Sequence, residues 1–246
     1  MQHIQTERDA GVAVIKLARP KANAMDRRML DELITAVEDL AVCSDVRALV
    51  LASEQPKFFS SGFDVTEVFS YDRPSMTRFF GRFLDLVARL ASLPKPTVAA
   101  VNGHAFAGGA VLALACDFRI MADGPFGFAL NEINLGIALT PGLIHLTREA
   151  VGPHARSIVL AGETVTPSRA REIGLAHELA APEEVLPKAK VLAATLGGKP
   201  AGAYALAKRW YSAPFDDRPH LDAFVSQWFS PECQERRNSL MESMKK

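Results

Sequence analysis

Two short loops and one glutamate carry the chemical potential of this sequence. Gly62-Phe63-Asp64 follows the apolar run at residues 46–51 and the loop Phe59-Ser60-Ser61, and Gly108-Gly109 follows the apolar run at residues 97–101; each glycine loop opens a helical pattern. The first amides of a helix have no internal acceptor, and the macrodipole places partial positive charge there, so each junction can receive a negatively charged oxygen. A single glycine pair is more often only a tight turn. Two such junctions facing one another would form an oxyanion hole, which stabilises charge developing on a carbonyl oxygen. Glu132, in Ala129-Leu130-Asn131-Glu132-Ile133-Asn134-Leu135-Gly136, is a candidate proton carrier; its bland reading is a solvated carboxylate at a helix start capped by Asn131.

Other constellations fall short. Ser60 and Ser61 lack the Gly-x-Ser-x-Gly setting of a nucleophile elbow. His177-Glu178 begins like a zinc-protease motif, but position 181 is Ala where a second His is required. His104 reads as a hydrogen-bonded wall residue, and Asp64 as a helix cap. Cys43, Cys116 and Cys233 are widely spaced and odd in number, so they read as reduced thiols without a disulfide framework or zinc site; no metal is expected.

The elements that must position these residues follow an α/β pattern. A hairpin is predicted around Asp9-Ala10-Gly11, then a helix from an Asp26 cap through Met29, Leu30, Leu33, Val37 and Leu40. Residues 46–51, 97–101 and 117–121 read as buried strands. Phe79, Phe80, Phe83, Leu84, Val87 and Leu90 mark a helix between the first two, and Gly108-Gly109 opens another that runs to Ala115. Repetition of strand, crossover helix and strand predicts an α/β layered domain. Beyond about Gly142 the strand signals nearly vanish, and four or five helical stretches are expected.

Composition bounds the function. The chain has 246 residues, 48% hydrophobic and 23% charged, with 28 basic and 28 acidic side chains. This is the balance of a globular protein, with no overall basic field to drive nucleic-acid binding. The N-terminal residues lack a secretory pattern and no apolar run is long enough to span a bilayer, so a cytoplasmic protein without nucleic-acid or membrane partners is expected.

As an ordered set, Phe59-Ser60-Ser61-Gly62-Phe63-Asp64, Ala99-Ala100-Val101-Asn102-Gly103 and Ala107-Gly108-Gly109 closely resemble the crotonase (enoyl-CoA hydratase/isomerase) superfamily. Arg19-Pro20-Lys21-Ala22-Asn23-Ala24, Cys116-Asp117, residues 132–136, Ala161-Gly162-Glu163 and residues 170–175 add to the match, which runs from about Ile4 onward. The resemblance implies a spiral of repeated ββα units with a helical C-terminal region: residues 1–190 as the catalytic core, and residues 191–246 as an oligomerising cover for the active site.

It also implies an acyl-CoA thioester substrate, no separate cofactor, and a homotrimer or dimer of trimers. The amides of Phe63 and Gly108 would bind the thioester oxygen of an enolate. Lys21, Ala22, Ala24, Ser61, Gly62, Asp64, Phe106, Gly109 and Leu130 would bind substrate, with the backbone around Ser61 and residues 22–24 cradling CoA. The Phe79, Phe80 and Phe83 cluster falls where the family builds its acyl pocket. Lys21, Arg236, Arg237 and Lys246 are candidates for the CoA phosphates.

Family hydratases carry two glutamates; here the first position is Val111 and only Glu132 matches the second. One carboxylate suits a proton shuttle. Residues 129–136 and the tail from Phe224-Val225-Ser226 look like the mitochondrial-type delta-3, delta-2-enoyl-CoA isomerase branch, which implies isomerisation of a 3-enoyl-CoA through Glu132. Alternatives are an enoyl-CoA hydratase (a lyase) or another family reaction such as decarboxylation or thioester hydrolysis. From a different class comes a non-catalytic CoA-ester-binding or RNA-binding relative.

Overall fold

The computed structural model describes residues 2–211 and 216–244. β1 (Ile4–Asp9) and β2 (Val12–Leu17) form the expected antiparallel hairpin, and Ala10 and Gly11 both take positive φ, as the two-residue turn between twisted strands requires. α1 (Arg27–Val42) starts where Asp26 accepts a hydrogen bond from the Met29 amide. Then follow β3 (Ala48–Ser53), β4 (Phe58–Ser60), α2 (Val65–Val68), α3 (Arg73–Ala91), β5 (Thr97–Val101), β6 (His104–Phe106), α4 (Gly108–Leu114), β7 (Phe118–Ala122) and β8 (Phe128–Ala129). The remainder is α5 (Pro141–Val151), α6 (Ala155–Leu160), β9 (Thr164–Val165), α7 (Pro167–Glu172), β10 (Glu178–Ala180), α8 (Pro182–Gly197), α9 (Ala201–Tyr211), α10 (Leu221–Trp228) and α11 (Pro231–Ser243).

Two sheets result. The larger has the order β1-β2-β3-β5-β7-β10 and is parallel from β2 onward; the smaller has the order β4-β6-β8-β9. β3 and β4, β5 and β6, β7 and β8 each send their first strand to the large sheet and their second to the small one before helices return the chain. This is the crotonase-like spiral of ββα units, with a helical C-terminal region after it.

Both faces of the large sheet are covered, so its strands are apolar throughout. In β3, Leu49 and Leu51 face the main core with α1, α3 and α4, while Ala48, Val50 and Ala52 face a second core. On that second face α8 packs closely through Val185, Ala189 and Ala193, spaced four apart on one stripe. Residue 190 lies within this helix.

The structure corrects several expectations. β4, β6 and β8 are two or three residues long, too short to show a period; Phe59-Ser60-Ser61 read as loop, and no strand was expected at the other two. Beyond residue 142, seven α-helices and the two strands β9 and β10 lie among the described residues, where four or five helices were expected. Strand β10 forms because β7 offers it a parallel edge; Glu178-Leu179-Ala180 has little strand propensity of its own. Among the described residues, no helix is long and apolar enough to cross a membrane, and no group of His, Cys, Asp and Glu side chains could hold a metal ion.

One buried polar knot ties α9 to the sheet. Lys208 is buried and pairs with Asp117 at 2.9 Å, and its ammonium also reaches Thr97 Oγ1 and the Lys95 carbonyl. Asp117 accepts in addition from the Thr97 amide and the Tyr204 hydroxyl. Lys208→Met would leave this carboxylate without its cation, and the unfolding free energy is expected to fall by about 3 kcal/mol, read from the urea midpoint.

Candidate active site

The first glycine junction is fixed by pairing with residue 25. The Met25 amide donates to the Gly62 carbonyl at 2.7 Å, and the Asp64 amide donates to the Met25 carbonyl at 2.9 Å. In such a parallel bridge Met25 bonds residues 62 and 64, so the amide of Phe63 points to the other side. Asp64 then caps α2, accepting from the Thr66 and Glu67 amides, and its carboxylate is held by Arg19, which also pairs with Asp26. This capping role is the one read from the sequence.

At the second junction Ala107 takes φ +47° and ψ −125°, a conformation that disfavours side chains, held by its amide bond to the Ala129 carbonyl at 2.9 Å. The turn sends Gly108 into α4 as its first residue, with an amide that has no acceptor within the helix. The two junctions touch: a Cβ on Gly62 would lie 3.3 Å from the Gly108 nitrogen and 3.0 Å from the Phe106 carbonyl oxygen. A Cβ on Gly108 would meet the Phe63 ring at 2.9 Å, and one on Gly109 would meet the Ser60 carbonyl oxygen at 2.5 Å. Close approach of main chain therefore requires glycine at 109, whereas at 108 the neighbours are the side chains of Met25 and Phe63.

Beside these amides lies a cavity of about 180 Å³. Of the site residues singled out from the sequence, Ser61, Phe63, Phe106, Gly108 and Glu132 line it, as do Phe80 and Phe83 of the aromatic cluster, whereas Phe79 does not. Glu132 is the acidic side chain on its wall among the described residues. Asn131 offers no side-chain cap to the short turn Glu132–Leu135, so the solvated helix-start reading of Glu132 fails. The residue as a whole is half-buried, but its carboxylate Oε2 is buried with no hydrogen-bond partner and no cation pairs with it among the described residues. Burial pushes this carboxyl up to about 7 from its usual 4.5.

The other expected binding residues lie off the wall. Leu130 is packed in the main core, and Gly109 is packed against Ser60. Lys21, Ala22 and Ala24 belong to a loop pinned beside residues 60–64: the Ser61 amide donates to the Ala22 carbonyl, and Arg19 to that of Ala24. Val111 is buried in the core. His104 accepts from the Gly127 amide and packs against the rings of Phe58, Phe106 and Phe126; it is hydrogen-bonded as expected but does not line this cavity.

Of the basic candidates, Lys21 is exposed, and Arg236 pairs with Glu232. Arg237 is instead buried over the rings of Phe69, Trp228 and Phe229, unable to serve a phosphate at the surface. Lys246 lies outside the described residues.

Sequence reasoning missed part of the wall. Phe69, Leu143, Trp228 and Leu240 all line the cavity, with Phe224 beside Trp228. Phe224 and Trp228, four apart on α10, carried a helical signal that fits any core-facing helix.

The sequence family described as enoyl-CoA hydratase/isomerase matches residues 7–230. The chain is 35% identical over 212 residues to "Probable enoyl-CoA hydratase echA17" of Mycobacterium avium, covering 85% of this chain and 81% of that one. It is 32% identical over 189 residues to "Enoyl-CoA delta isomerase 1, mitochondrial" of Mus musculus, covering 76% of this chain and 65% of the mouse protein. Its structure superposes on the crystal structure of human mitochondrial delta3-delta2-enoyl-CoA isomerase with a TM-score of 0.94 and 29% identity, over 99% of this chain and 98% of the human one.

Two predictions follow from the geometry. Gly109→Ala is expected to cost about 3 kcal/mol or more in denaturant unfolding, since main chain cannot yield as a flexible side chain does. Because the Glu132 carboxyl is raised, the fold is favoured while it is protonated, fully below pH 4.5, and loses that stability as pH rises through about 7. Above neutrality Glu132→Gln should therefore exceed the parent in unfolding free energy by at most about 3 kcal/mol, read from the urea midpoint, and the gap should close towards pH 4.5.

Proposed function

The chain belongs to the enoyl-CoA hydratase/isomerase family, and on that premise we propose that it is an enoyl-CoA isomerase moving a double bond from the 3 to the 2 position of an acyl-CoA. The observation that carries this reading is the lone buried carboxyl of Glu132 on a cavity wall, with Val111 withdrawn into the core. Hydration needs a base for water and an acid for carbon; a double-bond shift needs one group that takes a proton and returns it.

In the proposed mechanism the thioester oxygen accepts hydrogen bonds from the amides of Phe63 and Gly108. Ionised Glu132 removes a proton from carbon 2 of the 3-enoyl thioester, and the electron pair passes through the carbonyl to give a dienolate whose oxygen charge the two amides bear. Protonated Glu132 then delivers the same proton to carbon 4, leaving the double bond between carbons 2 and 3. A carboxyl poised near neutrality suits both halves, because it gives up a proton almost as readily as it takes one. Main-chain donors explain why a bulky Phe is compatible with position 63. Removing one donor of this type typically costs about a hundredfold to a thousandfold in rate.

The loop at residues 21–24 and Ser61 would cradle CoA at the cavity mouth. Residues 191–246 would act as the active-site cover and in assembly as a homotrimer or dimer of trimers, and no cofactor beyond the CoA of the substrate is required.

Supplied separately with a 3-enoyl-CoA and a 2-enoyl-CoA, the purified protein is expected to consume the first by isomerisation and to hydrate the second far more slowly. Faster hydration than isomerisation would overturn the reading in favour of a hydratase. Isomerisation should rise with pH to a plateau, with a midpoint near 7, because the ionised form of Glu132 starts the reaction. Glu132→Gln should lose at least about a thousandfold in kcat while still binding acyl-CoA.

A further inference from the structure

We propose that Trp228, braced from behind by Arg237, sets the longest acyl chain the cavity accepts, with a ceiling of about six to eight carbons counted from the thioester. The inference rests on the reading above that the acyl chain enters this cavity. The space is about 180 Å³. An apolar protein cavity of about 150 Å³ holds one benzene ring, so the volume here takes roughly six to eight carbons, including those that react beside Glu132.

The aromatic part of the wall has little freedom to retreat. Phe80 and Phe83 are buried in the main core; Phe80 stacks on Phe224, and Phe224 stacks on Trp228. Trp228 is 3% exposed and meets Phe69 edge-on. Behind it the Arg237 guanidinium lies 5.0 Å from the Trp228 ring centroid and 5.2 Å from that of Phe69, and both rings line the cavity.

Arg237 has no ion pair among the described residues, and its buried Nε and Nη1 have no hydrogen-bond partner. Aromatic faces are thus the main compensation for its buried charge, and an arginine cannot shed that charge by deprotonation. Turning Trp228 aside to admit a longer chain would strip the cation of one of its rings. The wall is therefore stiff at Trp228. Leu240, one helical turn beyond Arg237 on α11, is only half-buried and can shift without such a cost.

The test is a chain-length series with two independent readouts. Binding of saturated hexanoyl-, octanoyl-, decanoyl- and dodecanoyl-CoA, measured by calorimetry, reports the ceiling without any reaction, and turnover of the matching 3-enoyl-CoAs reports it in catalysis. Wild type is expected to bind dodecanoyl-CoA at least tenfold more weakly than octanoyl-CoA. Trp228→Ala should raise the dodecanoyl-to-octanoyl affinity ratio about tenfold, and Trp228→Leu should raise it by less and serves if the alanine variant fails to fold. Arg237→Met should also raise the ratio, whereas Arg237→Lys, which keeps a cation over the rings, should hold it near wild type. Equal wild-type affinity for the two lengths, or Trp228 variants whose profiles run parallel to wild type, would overturn the proposal; Arg237→Met and Arg237→Lys with identical ratios would overturn the bracing role. A ceiling in binding without isomerase turnover would refute the proposed reaction and leave this inference standing.

Discussion

A methyl group on Gly109 would land 2.5 Å from the carbonyl oxygen of Ser60, and the site depends on that approach of one main chain to another. It brings the start of α4 against the end of β4, so that the junctions at Phe63 and Gly108 lie together beyond the C-terminal ends of the neighbouring strands β4 and β6. The remaining restraints serve this contact. Met25 holds residues 62–64 from one side, Ser60 Oγ donates to the Asn23 carbonyl, and the constrained turn at Ala107 aims the next amide. Main-chain donors held in this way need no reorganisation when charge appears on a bound oxygen, which is why such holes are effective.

The electrostatics of the cavity follow from what is absent from its wall. A carboxylate next to a cation would ionise early and remain a weak base. Glu132 has neither a paired cation nor a donor for Oε2 among the described residues, so desolvation outweighs the opposing hydrogen bond from its own backbone amide. The fold carries that group at a cost to its own stability near neutrality, a familiar signature of a functional position. Elsewhere buried charge is compensated: Lys208 has Asp117, and Arg119 donates to the carbonyls of Leu175, Ala113 and Cys116.

Much of this was legible in the sequence because the signals were local and redundant. The strands at 48–53, 97–101 and 118–122, the caps at Asp26 and Asp64, and both glycine junctions announced themselves by apolar runs and helix-start chemistry. The small sheet did not, since β4, β6 and β8 are too short to display alternation and owe their existence to one another. Asn131 beside Glu132 pointed locally to an exposed cap; the cavity wall that Glu132 shares with α10 and α11 is completed about a hundred residues later, which no window around residue 132 contains. Leu130, which the family resemblance implied as a binding residue, has its side chain in the core.

That separation along the chain has a consequence for biosynthesis. Everything that shapes the two amide junctions has left the ribosome once α4 and β8 are made, whereas Phe224, Trp228 and Leu240 emerge far later. Until they dock, the cavity wall they share with Glu132 is incomplete. A nascent chain therefore acquires its amide scaffold first and the rest of its cavity wall last, so a nick or stall that removes α10 and α11 would open the cavity without altering either amide junction.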